Sequence, residues 1–283
     1  MANNIKLIEP GTDFKSVPIF TALFLFAVIM LSFPIRDLAA DYYYRQAPRI
    51  LDDKATEGLD TAPITEKSMP AYLAAIDAYK KAVALAPSNA SYQKALSDIY
   101  NRLGKWSETM QTLNVATPAS APSKKDASEK ALFHMQKAIS LEPTNPDYHL
   151  ALGKLYESLG ESITAEKEYK KAVAAYPLNM PNRHFLAMHY ILSGRKGDAL
   201  EQARILANID DSYVIRDLLQ KKYLMEQQPP DYLSKLSRSY LYYALEIAWR
   251  ASQDTQVIKG IAPNTPDAAQ VVQLFIDAKG LSE

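Results

Sequence analysis

The chain has 283 residues, 32 basic and 32 acidic side chains for a formal net charge of zero, and 48% hydrophobic residues. That length is enough to bury one or two cores, and the balanced charge removes the electrostatic case for a nucleic-acid partner. Cysteine is absent, which excludes disulfides and thiol chemistry, and only nine glycines stand among many Ala, Leu, Lys, Glu and Tyr, a composition that leans helical.

From Ser16 to Ile35 no residue is charged, and the centre of the run reads IFTALFLFAVIMLSF. About 20 apolar residues cross a bilayer core as a helix, and Pro18 falls in the first turn, where its missing N–H costs little. Residues 1–16 are therefore expected to form an N-terminal tail, and residues 17–35 one transmembrane helix in contact with the lipid bilayer. The competing reading is a signal peptide cut after Ala40; the long apolar run and the acidic Glu9 and Asp13 ahead of it favour a retained anchor. The rest of the chain is expected to be periplasmic or extracytoplasmic. Lys6 and Lys15 before the span are matched by Arg36, Arg45 and Arg49 after it, so charge leaves the orientation open. Tyr42 to Tyr44 read either as an aromatic belt or as part of a helical repeat.

Three later segments say nearly the same thing: KKAVALAPSNA ending at Ala90, QKAISLEPTNP ending at Pro146 and KKAVAAYPLNM ending at Met180. Each reads as the last turns of a helix, a proline stop and a new helix start. Pro143 and Pro177 lie 34 residues apart, a period that signals stacked helical units. Between them Leu152, Gly153 and Tyr156 mark a first helix, Gly160 a turn, and Ala165, Tyr169 and Ala172 a second helix that Pro177 ends. Gly153 and Ala165 let antiparallel helices approach closely, with Tyr156 and Tyr169 filling the space beside them. From Pro146 to Asn179 this pattern resembles the tetratricopeptide repeat family, with His149 where the family has tryptophan. The resemblance implies an all-α solenoid of antiparallel helix pairs that binds proteins or peptides.

The first-helix signature recurs as Leu38-Ala39 with Tyr42, Leu96-Ser97 with Tyr100, Leu186-Ala187 with Tyr190 and, more weakly, Leu236-Ser237 with Tyr240. The second-helix signature recurs at Ala75, Tyr79, Ala82 and Pro87, and at Ala131, Met135, Ala138 and Pro143. Pro87 and Pro143 are 56 residues apart, one period plus 22, and the surplus falls in the Pro/Ser/Ala-rich TLNVATPASAPSKKDASEK. Repeats are thus expected over 36–211 with insertions at about 48–69 and 114–127, and with turns at Gly104 and Gly194. Trp106 is expected to pack just past the Gly104 turn. Residues 212–283 are expected to hold a degenerate C-terminal repeat and a cap. Within the C-terminal part, IDDSYVIRDLLQKKYLMEQ reads as a helix, PPDYLSKLSRSYLYYALEIAWRAS as a long helix, and Asp267 to Ala278 as a last one between Pro266 and Gly280.

No catalytic residue, metal site or cofactor is expected: nucleotide, zinc-protease and hydrolase motifs are absent, and His184 and His189, five apart, do not share a helix face. His134 and His149 likewise lack ligand spacing, and charge runs such as EKEYKK read as solvated faces. Tyr240, Tyr242, Tyr243 and Trp249 read as core. Binding remains. The resemblance implies a groove lined by first helices, here Lys94, Asp98, Asn101 and Arg102, then Leu150, Lys154 and Glu157, then His184, Phe185, Met188 and Ile191: mixed charge at one end, apolar at the other. The chaperone-carboxylate set of one subgroup is not reproduced, since Asp98, Ala151, Pro181 and Phe185 replace four of its five members. The expected function is a membrane-anchored protein–protein interaction scaffold in a bacterial cell-envelope assembly serving polysaccharide, secretion or pilus systems. The alternative is a structural subunit of a filament or large membrane complex held by its N-terminal helix.

Overall fold

In the computed structural model the described residues are 17–52, 64–65, 67–209 and 239–281, with residues 17–33 described by their backbone alone, and every regular element among them is an α-helix. No helix among the described residues is long and apolar enough to cross a membrane. The side chains of residues 17–33, the body of the expected span, lie outside that description. The chain divides into two compact units, Met1–Ser123 and Lys124–Glu283.

Unit 1 contains α1 (Val17–Asp52), α2 (Met69–Leu85) and α3 (Ala90–Thr112). α1 is one helix through the boundary expected at residue 35, with Pro34 and Pro48 inside it, and it runs on to Asp52, where an insertion had been expected from about 48. α2 returns antiparallel: the Arg36 guanidinium donates to the Leu85 carbonyl at 3.1 Å, Ala40 and Ala82 share an apolar cluster with Tyr92, and the Tyr44 and Tyr79 rings lie 5.7 Å apart. Pro87 then stops the chain and Asn89 starts α3, its side chain accepting from the N–H groups of Ser91 and Tyr92.

The turn expected at Gly104 is absent. Gly160 and Gly194, at the same distance past their signature leucines, adopt φ of 79° and 74° and end their helices, whereas α3 continues through Gly104 for two more turns. Leu103, Gly104, Trp106 and Ser107 are all buried, so the packed face of α3 does not end at the glycine and the helix is retained. The left-handed residue past α3 is instead Asn114, with φ 52°. The connection to the next helix covers 113–123.

Unit 2 holds α4 (Lys124–Leu141), α5 (Pro146–Ser158), α6 (Ser162–Ala175), α7 (Met180–Leu192) and α8 (Lys196–Ala207), then α9 (Tyr240–Ser252), α10 (Thr255–Ile261) and α11 (Pro266–Lys279). α5 packs on α6 and α7 on α8, and Ala165, Ala172, Ala199 and Ala203 are fully buried where the helices approach. One apolar cluster runs from Leu150 through Tyr169, Leu206 and Leu245 to Phe275. Tyr240, Tyr242, Tyr243 and Trp249 pack against it.

The C-terminal part differs from expectation in two places. The described helix of the supposed long segment begins at Tyr240, because Ser239 is extended and caps it by accepting from the Tyr242 N–H. The weak signature at Leu236-Ser237 and the helix expected over IDDSYVIRDLLQKKYLMEQ fall, apart from Ile209, outside the described residues. Short α10 was not anticipated; Gln253 at φ 55° ends α9 and Asp254 caps the new helix. α11 starts at Pro266 after the Thr265 cap and stops at Gly280, φ 63°.

Candidate functional site

The expected groove residues fall in both units, Lys94, Asp98, Asn101 and Arg102 in unit 1 and the others in unit 2. In unit 1, α3 places Ala95, Asp98, Ile99 and Arg102 on one side of a cleft of about 210 Å³, with Tyr44 from α1 and Tyr72 and Tyr79 from α2 closing it. Asp98 is one turn from Lys94 and pairs with its ammonium at 2.6 Å. The Arg102 guanidinium donates to the Tyr72 hydroxyl at 2.9 Å and sits 5.5 Å from that ring's centre. Burial first, then the neighbouring Tyr44 and Asp98, push the Tyr79 phenol up to about 12, so at neutral pH it remains a hydroxyl able to donate. The cleft thus offers one carboxylate, one guanidinium and three phenols. Asn101, half-buried, is not among its lining residues.

In unit 2 the Lys154 ammonium of α5 lies 3.5 Å from the centre of the Phe185 ring of α7, a close cation–π contact joining neighbouring first helices. His184 packs edge-on against Tyr243 of α9, centroids 5.1 Å apart. Burial, followed by the positive charge of Arg250, lowers its basicity, and its Nδ1 is buried without a hydrogen-bond partner among the described residues. Met188 is half-buried.

Glu157 turns inward to a different task. Its carboxylate accepts from the Tyr169 hydroxyl of α6 at 3.0 Å and pairs with His189 Nδ1 of α7 at 2.9 Å. It fastens three helices, and burial together with this contact raises the Tyr169 phenol well above the usual range. His149, expected as an ordinary surface or packing histidine, is buried with Nδ1 2.7 Å from the Glu168 carboxylate and Nε2 2.8 Å from the Pro143 carbonyl. Glu168, in a run expected to be a solvated face, is buried with it, while Glu166 does pair with Lys170 at the surface. Among the described residues no group of three or more His, Cys, Asp and Glu is placed to hold a metal ion.

Residues 134–167 match the model of a tetratricopeptide repeat. The match spans one 34-residue period, from the second half of α4 through α5 into α6, and so overlaps the pattern read from Pro146 to Asn179 in a different phase. No curated protein matches the chain. Among solved structures it is similar to TTC0263, a thermophilic TPR protein in Thermus thermophilus, at 23% identity over 76% of this chain and 96% of that one, TM-score 0.41. It is also similar to MamA, at 18% identity over 67% and 95%, TM-score 0.39, and to pilF of Pseudomonas aeruginosa, at 13% identity over 87% and 86%, TM-score 0.42.

Within the matched tetratricopeptide repeat, the polar contacts of His149 and Glu157 are made to Glu168, Tyr169 and His189 on the helices that follow. Sequence reasoning missed the tyrosine walls of the unit 1 cleft. Tyr72 and Tyr79 are seven apart on α2 and so share a helix face, a spacing visible in the sequence. Tyr44 carries no comparable signal, because only the α1–α2 pairing brings it there.

Proposed function

We propose that the chain is a non-catalytic scaffold that holds segments of another protein on its first-helix surfaces, and that residues 17–35 anchor it in a membrane of a bacterial cell envelope, with the repeats on the extracytoplasmic side. The observation carrying the scaffold reading is the unit 1 cleft. At about 210 Å³ it is smaller than small-molecule sites of roughly 300–1,000 Å³, and it has room for one or two side chains of a partner. Both charge signs and three phenols face it, groups that orient a peptide rather than drive a reaction. The anchor rests on the uncharged run from Ser16 to Ile35.

The test is partner recovery in mild detergent from membranes holding the full chain or its Arg102→Glu variant. The same partners should be lost from the variant while its helical circular dichroism and its resistance to carbonate washing are unchanged. Equal recovery from both moves the binding surface off the cleft, and release by carbonate removes the anchor.

A further inference from the structure

We propose that unit 1 sits directly on the bilayer, with the α2–α3 turn, residues 86–89, at headgroup level; the proposal rests on the reading of residues 17–35 as the anchor. Three large apolar side chains of α1, one at the end of that run and two beyond it, are exposed: Ile35 by 65%, Leu38 by 71% and Tyr42 by 59%. Spaced three and four residues apart, they form one stripe of the helix. Ala40, Ala47 and Leu51, on the opposite side, are the buried residues among the described side chains of α1. The stripe therefore faces away from the packed side of the unit and continues an uncharged run of 20 residues without a break in the helix. That continuity identifies lipid as the occupant.

The levels follow from helix geometry. At 1.5 Å per residue, Leu38 stands about 4.5 Å and Tyr42 about 10 Å above Ile35, against a headgroup layer of roughly 5–7 Å in one leaflet. With Ile35 at the hydrocarbon edge, Leu38 lies within the headgroup layer and Tyr42 at its water side, the interface where tyrosine is favoured. Arg36 is bonded to the Leu85 carbonyl, so the end of α2 and the turn after it share the level of Arg36, below Tyr42. α3 starts there and leads away, which puts Gln111 about 30 Å from Ala90 along the helix axis. Lys81 pairs with Asp77 at 2.7 Å and Arg45 with Asp41 at 2.7 Å, so neither cation is left unopposed toward the lipid.

The chain has no cysteine, so a single fluorophore can be attached to Ser88→Cys or to Gln111→Cys, both exposed positions. The full chain is reconstituted into phosphatidylcholine–phosphatidylglycerol vesicles carrying a spin label on the phosphatidylcholine headgroup. Quenching should be several-fold stronger at residue 88 than at residue 111 and should not change with added salt. Adding Leu38→Glu and Tyr42→Glu should bring the residue 88 signal down toward that at 111 while the protein still floats with the vesicles. Equal quenching at the two positions in a floating protein overturns the docking and leaves the anchor standing. A wild-type stripe that can be charged without any loss of quenching also overturns it. Protein that does not float at all overturns the anchor and the docking together.

Discussion

The ring of Tyr169 lies flat against the backbone of Gly153: a β-carbon built on residue 153 would stand 2.7 Å from two of the ring carbons. Tyr169 is fully buried and its hydroxyl is tied to Glu157, so the ring has nowhere to go. Gly153→Ala should already destabilise unit 2, and Gly153→Leu should cost roughly 1–3 kcal/mol or more through overpacking. Thermal melting followed by circular dichroism reads the loss, and an unchanged midpoint would mean the α5–α6 contact is not this tight.

Glu157 should matter to stability more than its position on a first helix implies. Glu157→Ala strands the Tyr169 hydroxyl and His189 Nδ1, at a cost of about 1–3 kcal/mol for buried polar groups left without partners. Glu157→Gln keeps one acceptor oxygen and should lose less. Denaturant midpoints of the two variants, compared with the parent, decide the order.

Each first helix that follows a proline stop is capped by asparagine. Asn145 accepts from the Asp147 N–H at 3.1 Å and Asn179 from the Asn182 N–H at 3.0 Å. Replacing either by alanine should cost about 1 kcal/mol with no loss of helix content. Chemical denaturation gives the value, and restoration by aspartate or serine separates capping from packing.

Acid should weaken unit 2 in two stages. His184 is held below the ordinary 6.5, first by burial and then by Arg250. The unfolded chain therefore takes up a proton that the folded one resists, and stability falls as pH drops through 6.5. For Glu246, burial works against ionisation, but hydrogen bonds from Lys279 and Arg250 outweigh it and hold its carboxyl below the usual 4.5. Stability from that group is present above 4.5 and is lost as pH falls through its lower folded value. Melting temperature against pH should show both declines, and His184→Gln should remove the first while leaving the second.

The period of the repeat is legible because its markers act locally. Gly160 supplies a left-handed turn, Ala165 a close approach and Pro177 a stop, and each can be recognised without knowing what it touches. Gly104 has the same spacing from Leu96 as Gly160 has from Leu152, yet burial of Leu103 and Trp106 keeps its helix going, a tertiary effect that spacing does not carry. The cleft is half legible for a similar reason. Helical register puts Lys94, Asp98 and Arg102 on the surface of α3, but Tyr44 and Tyr72 arrive from other helices, and no periodic rule links residues 44 and 98. Glu157 occupies a register position expected to face a partner. It is drawn inward by Tyr169 and His189, 12 and 32 residues further along.

Three joints of the chain, each holding a proline and an asparagine, share one construction. At Ala86–Asn89, Glu142–Asn145 and Tyr176–Asn179 the asparagine N–H returns to the carbonyl three residues back, at 3.1, 3.2 and 3.1 Å, and its side chain opens the next helix. The backbone and asparagine bonds that form each joint reach no further than the ends of the two helices it connects; at the third, the Leu178 carbonyl also accepts from the Tyr240 hydroxyl of α9 at 3.1 Å. The joints are therefore interchangeable parts. A stretch cut at one and rejoined at another meets the same chemistry on both sides, so the array can be lengthened or shortened by whole periods with no joint redesigned. What cannot be exchanged so freely are the pieces tied across joints, such as Glu157 to His189, which give each repeat an address in the array.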